Sequence, residues 1–167
     1  NTLVIKNSRF EGNHSINGGA VCNFGEAKTT IVDSQFEKNT AVSHTSTALT
    51  SGFGGAVHNF FSTNQGKLTL TGCSFVENEA AYGGAVGNQV GTVIAENCIF
   101  EGNVAAKNHG GAVLTFGADL KDHKEISSGK RAQIYSYNSL FDSNTASSQK
   151  GGAIKAHGFA DIAVVNS

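Results

Sequence analysis

Proline, tryptophan and methionine are absent from this chain, and charged side chains make up only 15% of its 167 residues. Without proline, no backbone N–H is missing from a hydrogen-bond ladder, which suits a chain made of sheet. The 12 basic and 13 acidic residues leave a formal net charge of −1, too little positive charge for nucleic acid or an anionic membrane to be the main partner. No apolar run approaches the roughly 18 residues that a spanning helix needs. No signal peptide is recognisable, and a chain that opens at Asn1 without methionine reads as a processed or excerpted piece. The three cysteines lack a Cys-x-x-Cys spacing, which argues against zinc.

What is abundant is turn chemistry, with 21 glycines and 16 asparagines. Regularly spaced Phe, Val and Ile separate the chain from a disordered segment of similar composition. The spacing is a repeat. Phe-x-x-Asn occurs at Phe10 and Asn13, Phe36 and Asn39, Phe75 and Asn78, Phe100 and Asn103, and Phe141 and Asn144. Each is followed by Gly-Gly-Ala and then Val or Ile, with the glycine pairs at Gly18 and Gly19, Gly54 and Gly55, Gly83 and Gly84, Gly110 and Gly111, and Gly151 and Gly152. Both glycine positions are expected to serve close backbone approach or positive φ.

Aligning the cycles on their Phe predicts local structure. Upstream lie the spaced pairs Leu3 and Ile5, Thr29 and Ile31, Leu68 and Leu70, Val93 and Ala95, and Ile134 and Ser136, the inward residues of one strand. Next come Asn7, Asp33, Gly72, Asn97 and Asn138, types that tolerate the left-handed conformation of a bend. Small residues follow at Ser8, Ser34, Cys73, Cys98 and Ser139. The shortest cycles, Phe10 to Phe36 and Phe75 to Phe100, are 26 and 25 residues, which fits several short strands per coil pairing with their equivalents one coil on. Helical repeats fit badly, because the apolar period is two and glycine pairs recur. The expectation is an all-β, right-handed parallel β-helix of about five coils.

Two cycles are longer, which predicts loop insertions at about 42–53 and 116–131. Seven of the 25 charges fall in the second, including Asp119, Lys121, Asp122, Lys124, Lys130 and Arg131, a candidate partner loop. Ile162 and Val164 followed by Asn166-Ser167 match Leu3 and Ile5 followed by Asn7-Ser8. Residues 1–167 are therefore expected to be one β-helix segment, an internal slice of a longer solenoid without end caps.

The alternation of Phe-x-x-Asn with Gly-Gly-Ala-Ile/Val, over essentially all of the chain except the insertions, resembles the repeats of the polymorphic outer membrane proteins of Chlamydia. The resemblance implies a right-handed parallel β-helix, secreted or displayed at a cell surface, acting as an adhesin. The chain lacks the membrane barrel of that family, and similar repeats are scattered through surface proteins of other bacteria, algae and protists.

Each candidate site has a structural reading beside it. The five Phe and the five Asn of the motif are expected to stack inside as core and as an amide ladder. A second column at Asn23, Asn59 and Asn88 is expected to break at Thr115 and Ala156. Cys73 and Cys98 share a register and are expected to be buried free thiols, with a disulfide as the alternative. Cys22 shares its column with His58, Gly87, Leu114 and Lys155, a variability that suggests surface. The six histidines fall at different registers and are expected mostly to face solvent. Glu11, Glu37, Glu101 and Asp142, interrupted by Val76, read as a solvated face, with calcium as the alternative. The sequon Asn13-His14-Ser15 falls in the ladder column, which favours a buried amide over a glycan.

Only five Asp occur, and no two carboxylates are expected at outward positions of adjacent coils with a basic partner in reach, so the segment is read as non-catalytic, with no cofactor. The leading expectation is a secreted or surface β-solenoid, adhesin or structural spacer, whose partner is a protein or glycan at a cell surface or further coils of its own kind. The alternative is a polysaccharide lyase- or hydrolase-like β-helix enzyme whose catalytic coils lie elsewhere.

Overall fold

The described residues form strands two to six residues long, separated by residues at positive φ, and no helix occurs among them. The structure is a computed structural model that describes residues 2–42, 51–61, 65–107, 109–117, 131–147, 150–158 and 160–167. The first coil consists of β1 (Thr2–Lys6), β2 (Arg9–Glu11), β3 (His14–Ser15) and β4 (Val21–Gly25). The second repeats the pattern with β5 (Lys28–Val32), β6 (Gln35–Glu37), β7 (Thr40–Ala41) and β8 (Val57–Phe61). The third has β9 (Lys67–Thr71), β10 (Ser74–Val76), β11 (Glu79–Ala80) and β12 (Val86–Gln89). The fourth has β13 (Gly91–Glu96), β14 (Ile99–Glu101), β15 (Val104–Ala105) and β16 (Val113–Phe116). The fifth has β17 (Ala132–Tyr137), β18 (Leu140–Asp142), β19 (Thr145–Ala146) and β20 (Ile154–His157), and β21 (Ala160–Val165) opens a sixth.

Equivalent strands pair in parallel and in coil order, giving one six-stranded and three five-stranded sheets. This is a parallel β-helix of about five coils. Register follows the motif: Leu3, Thr29, Leu68, Val93, Ile134 and Ile162 form one inward column, and the five Phe form another. The Phe rings stack at centroid separations of 4.9, 4.9, 4.9 and 4.8 Å with interplanar angles of 6° or less, the pitch of the parallel ladder.

Corners explain the remaining repeat positions. Asn7, Asp33, Gly72, Asn97 and Asn138 all have φ between 48° and 63°, the left-handed bend that their residue types suggested. A second left-handed corner, at Gly12, Lys38, Glu77, Gly102 and Ser143, was not signalled, because Lys and Glu there resist that conformation.

The two glycines of each pair divide the roles that were expected of both. The first is left-handed, with Gly18, Gly54, Gly83, Gly110 and Gly151 at φ between 58° and 70°. The second is not at positive φ and serves close approach instead. A Cβ on Gly19 would overlap the Gly55 carbonyl oxygen, and one on Gly55 would overlap that of Gly84. A Cβ on Gly84 would in turn overlap the Gly111 carbonyl oxygen and stand 2.6 Å from the Val104 nitrogen. Positive φ is therefore no part of the demand at Gly19 or Gly55, where contact between coils alone excludes a side chain.

Most polar groups inside the coil are paired, the inward hydroxyls of Thr29 and Ser136 being exceptions. Asn13, Asn39, Asn78 and Asn103 each donate Nδ2 to the Oδ1 of the next motif Asn, and that same oxygen also accepts the backbone N–H of the donor residue. The other Nδ2 proton of Asn39, Asn78, Asn103 and Asn144 goes to the carbonyl of the preceding coil's Phe, at 2.8–3.0 Å. Asn13 belongs to this ladder, donating to Asn39 at 2.8 Å, but it is exposed rather than the buried amide expected of the sequon. The second column runs Asn23 to Asn59 to Asn88 at 3.0 and 2.7 Å and then continues to Thr115 Oγ1 at 3.0 Å. Thr115 therefore extends the column that it was expected to break, because its hydroxyl accepts where an amide oxygen would.

Cys73 and Cys98 are buried and free. They are more than small apolar fillers. Each donates its S–H to the carbonyl two residues earlier, at 3.4 Å, as Ser34 and Ser139 do with their hydroxyls. Hydrogen bonding to Cys73, and then burial, push the Cys98 thiol pKa up. No helix among the described residues is long and apolar enough to cross a membrane.

Candidate functional site

Along β4, β8, β12, β16 and β20 the inward residues are Val21, Val57, Val86, Val113 and Ile154, so Cys22, His58, Gly87, Leu114 and Lys155 face outward by alternation. An outward face of a solenoid ordinarily meets water. Here it does so only at the end coils. Cys22 is exposed and Phe24 is 70% exposed, whereas His58, Gln89, Leu114 and Phe116 are all below 8%. The variable column therefore does not mark a surface throughout, and its middle three members are buried.

What covers them comes from the residues just before the glycine pairs. Phe53 and Tyr82 form a parallel bridge, their rings 4.9 Å apart, and join Ala81, Leu114 and Phe116 in a second apolar cluster. Gly87 makes the room, since a Cβ there would stand 3.0 Å from the Cβ of Phe53. The Phe53 N–H donates to Asn17 Oδ1 at 3.1 Å, which fixes the segment onto the first coil. Phe53 closes the first insertion and Phe116 opens the second, so one cluster anchors both. Of the candidate partner loop, Arg131 pairs with Asp161 at 3.1 Å. Asp119, Lys121, Asp122, Lys124 and Lys130, together with most of the 42–53 insertion, lie outside the described residues.

His58 is the polar centre of this layer. Its ring stacks 5.4 Å from Phe53 and lies 5.9 Å from Phe60, which in turn meets Phe24 at 5.2 Å. Nε2–H donates to Gln89 Oε1 at 2.8 Å, and Nδ1 lies 4.0 Å from Cys22 Sγ. Burial lowers the His58 pKa to about 4, with the Gln89 hydrogen bond opposing it weakly. Burial also raises that of Cys22. The histidines therefore do not all face solvent at unrelated positions. His58 is 4% exposed, and His109 and His157 approach with ring centroids 6.4 Å apart. The signal that could have revealed the layer is an aromatic residue before Gly-Gly in two successive coils, opposite a glycine at position 87.

The first two members of the acidic column, Glu11 and Glu37, sit at outward positions of adjacent coils and, against expectation, have basic partners in reach. Arg9 reaches Glu11 at 3.0 Å and Glu37 at 2.8 Å, and Lys38 reaches Glu37 at 3.1 Å and Glu77 at 3.7 Å. Hydrogen bonds from Arg9 and Lys38 hold the Glu37 carboxyl below its usual range. Among the described residues, no group of three or more His, Cys, Asp or Glu is placed to hold a metal ion. No protein-family model, curated protein sequence or solved structure matches this chain.

Proposed function

We propose that this chain is a non-catalytic segment of a secreted or surface-displayed β-solenoid, an adhesin in which the rigid coil presents two loops to a protein or glycan partner. The observation that carries this reading is the anchoring of Phe53 and Phe116 in one apolar cluster, which ties the end of the first insertion and the start of the second to the same face of the coil. A solenoid tolerates insertions at its turns because each coil contacts only its neighbours, and rigid scaffolds that hold grouped loops are a common way to build a recognition surface. The resemblance of the Phe-x-x-Asn and Gly-Gly-Ala repeats to chlamydial polymorphic outer membrane proteins points to the same class.

The test replaces residues 43–50 and 118–130 with short Gly/Ser links and measures binding to intact host cells and to an array of glycans. Binding lost while the thermal unfolding midpoint stays unchanged is the expected result. Binding retained by the loop-replaced protein would refute the loop assignment and leave the bare coil, or its stacking on further coils, as the interacting element.

A further inference from the structure

Cys22, His58 and Gln89 line up across three successive coils, on strands β4, β8 and β12. The thiol is exposed on the outer face, whereas the imidazole behind it is 4% exposed and the amide 6%. Gln89 Oε1 can only accept, so the Nε2–H that it binds at 2.8 Å fixes the tautomer and turns the Nδ1 lone pair toward Cys22 Sγ. The separation of 4.0 Å is long for an S–H···N hydrogen bond. It does fit two donors of one ion. With metal–sulfur about 2.3 Å and metal–nitrogen about 2.0 Å, two such ligands stand roughly 3.5 Å apart when bent and roughly 4.3 Å when linear.

We propose that Cys22 and His58 form a two-donor site for a soft monovalent transition metal, copper(I), with Gln89 as the residue that positions the imidazole. Two protein donors leave a zinc or iron ion short of ligands, but they satisfy copper(I), which accepts low coordination and is selected by thiolate. A histidine ligand whose other ring nitrogen is held by a carbonyl is the usual outer arrangement of such sites. The rings of Phe53 and Phe60 beside His58 give the ion an apolar surround. Binding displaces the Cys22 proton to solvent, one per ion, and involves no change of oxidation state.

The experiment titrates copper(I) into the reduced, intact chain under anaerobic conditions against a bicinchoninate competitor, followed by X-ray absorption at the copper edge. One ion per chain is expected, with sulfur and nitrogen both in its shell. Cys22→Ser should abolish binding, and the thiol's exposure makes that variant safe for folding. Gln89→Leu, which keeps both donors, should weaken binding about 10- to 100-fold, with thermal unfolding of the metal-free variant confirming that it folds. The double variant Cys73→Ser/Cys98→Ser should still bind one ion. Binding that survives Cys22→Ser, that vanishes in the double variant, or that is indifferent to both Gln89→Leu and His58→Phe would overturn the assignment, as would failure of the native chain to compete for the ion. The site is independent of the loop reading, because none of its three residues lies in either insertion.

Discussion

A single buried side chain shows how this fold treats polarity. The motif Asn is accommodated because every hydrogen-bonding position of its amide is used: Asn78 accepts twice at Oδ1 and donates twice from Nδ2, and it is fully buried. His58 is the less complete case, since its ring is buried without a charged partner to stabilise the protonated form. The sign of its pH effect follows. Its pKa falls from 6.5 in the unfolded chain to about 4 in the fold, so the unfolded state binds the proton first as pH drops. Above pH 6.5 the folded state bears no cost from this residue, and between there and about 4 it loses up to about 3 kcal/mol. Urea unfolding of the metal-free protein at pH 7.5, 5.5 and 4.5 should show that decline. His58→Phe should have a flatter profile than the native chain over the same window, and identical profiles would show that the ring is solvated.

At the scale of the coil, the second glycine of each pair decides whether one turn can lie on the next. Gly84 sits where a Cβ would overlap backbone atoms on two sides, and neither the Gly111 oxygen nor the Val104 nitrogen can yield without shifting a strand. Gly19 and Gly55 meet the same obstruction from the coils that follow them. Gly84→Ala should therefore cost at least about 3 kcal/mol. Gly152 holds the same motif position in the fifth coil, but its Cβ would meet only the Asn144 oxygen, at 3.1 Å. Gly152→Ala should cost less than about 1 kcal/mol. Urea midpoints of the two variants settle the point, and equal losses would mean that the glycine serves chain flexibility rather than coil contact.

The same comparison separates what was legible in the sequence from what was not. Inward columns, the first bend and the Phe stack were readable because each coil imposes the same steric demand, so one residue type recurs at one register. The outer layer was not readable in that way. His58 stacks on Phe53, and Phe53 and Tyr82 occupy a loop position that differs in every coil, so a contact made once leaves no repeat to find. Lys38 and Glu77 at the second corner hid a conformational demand for a different reason. The stacking of neighbouring coils forces φ near 50° on residues that would not choose it, and their mutual ion pair at 3.7 Å is a surface contact too weak to offset much of that strain.

For the whole molecule, stacking makes stability additive along one axis, and among the described strands no pairing closes the first coil on the last. The inward positions record this. Leu68, Leu70, Val93 and Ile134 in the middle coils are at most 1% exposed, while the equivalent Leu3, Ile162 and Val164 at the two ends are 41%, 41% and 45% exposed. Burial is the main favourable term, so the end coils of this 167-residue chain open at lower cost than the central ones. Native-state hydrogen exchange followed by mass spectrometry should then give a gradient. Amides of β9, β10, β13 and β14 should exchange slowest, and those of β1, β2, β20 and β21 fastest, in steps that follow coil order rather than in one global event. A single common exchange rate would mean that the coil behaves as one cooperative block, and the nearest-neighbour description would then have to be abandoned.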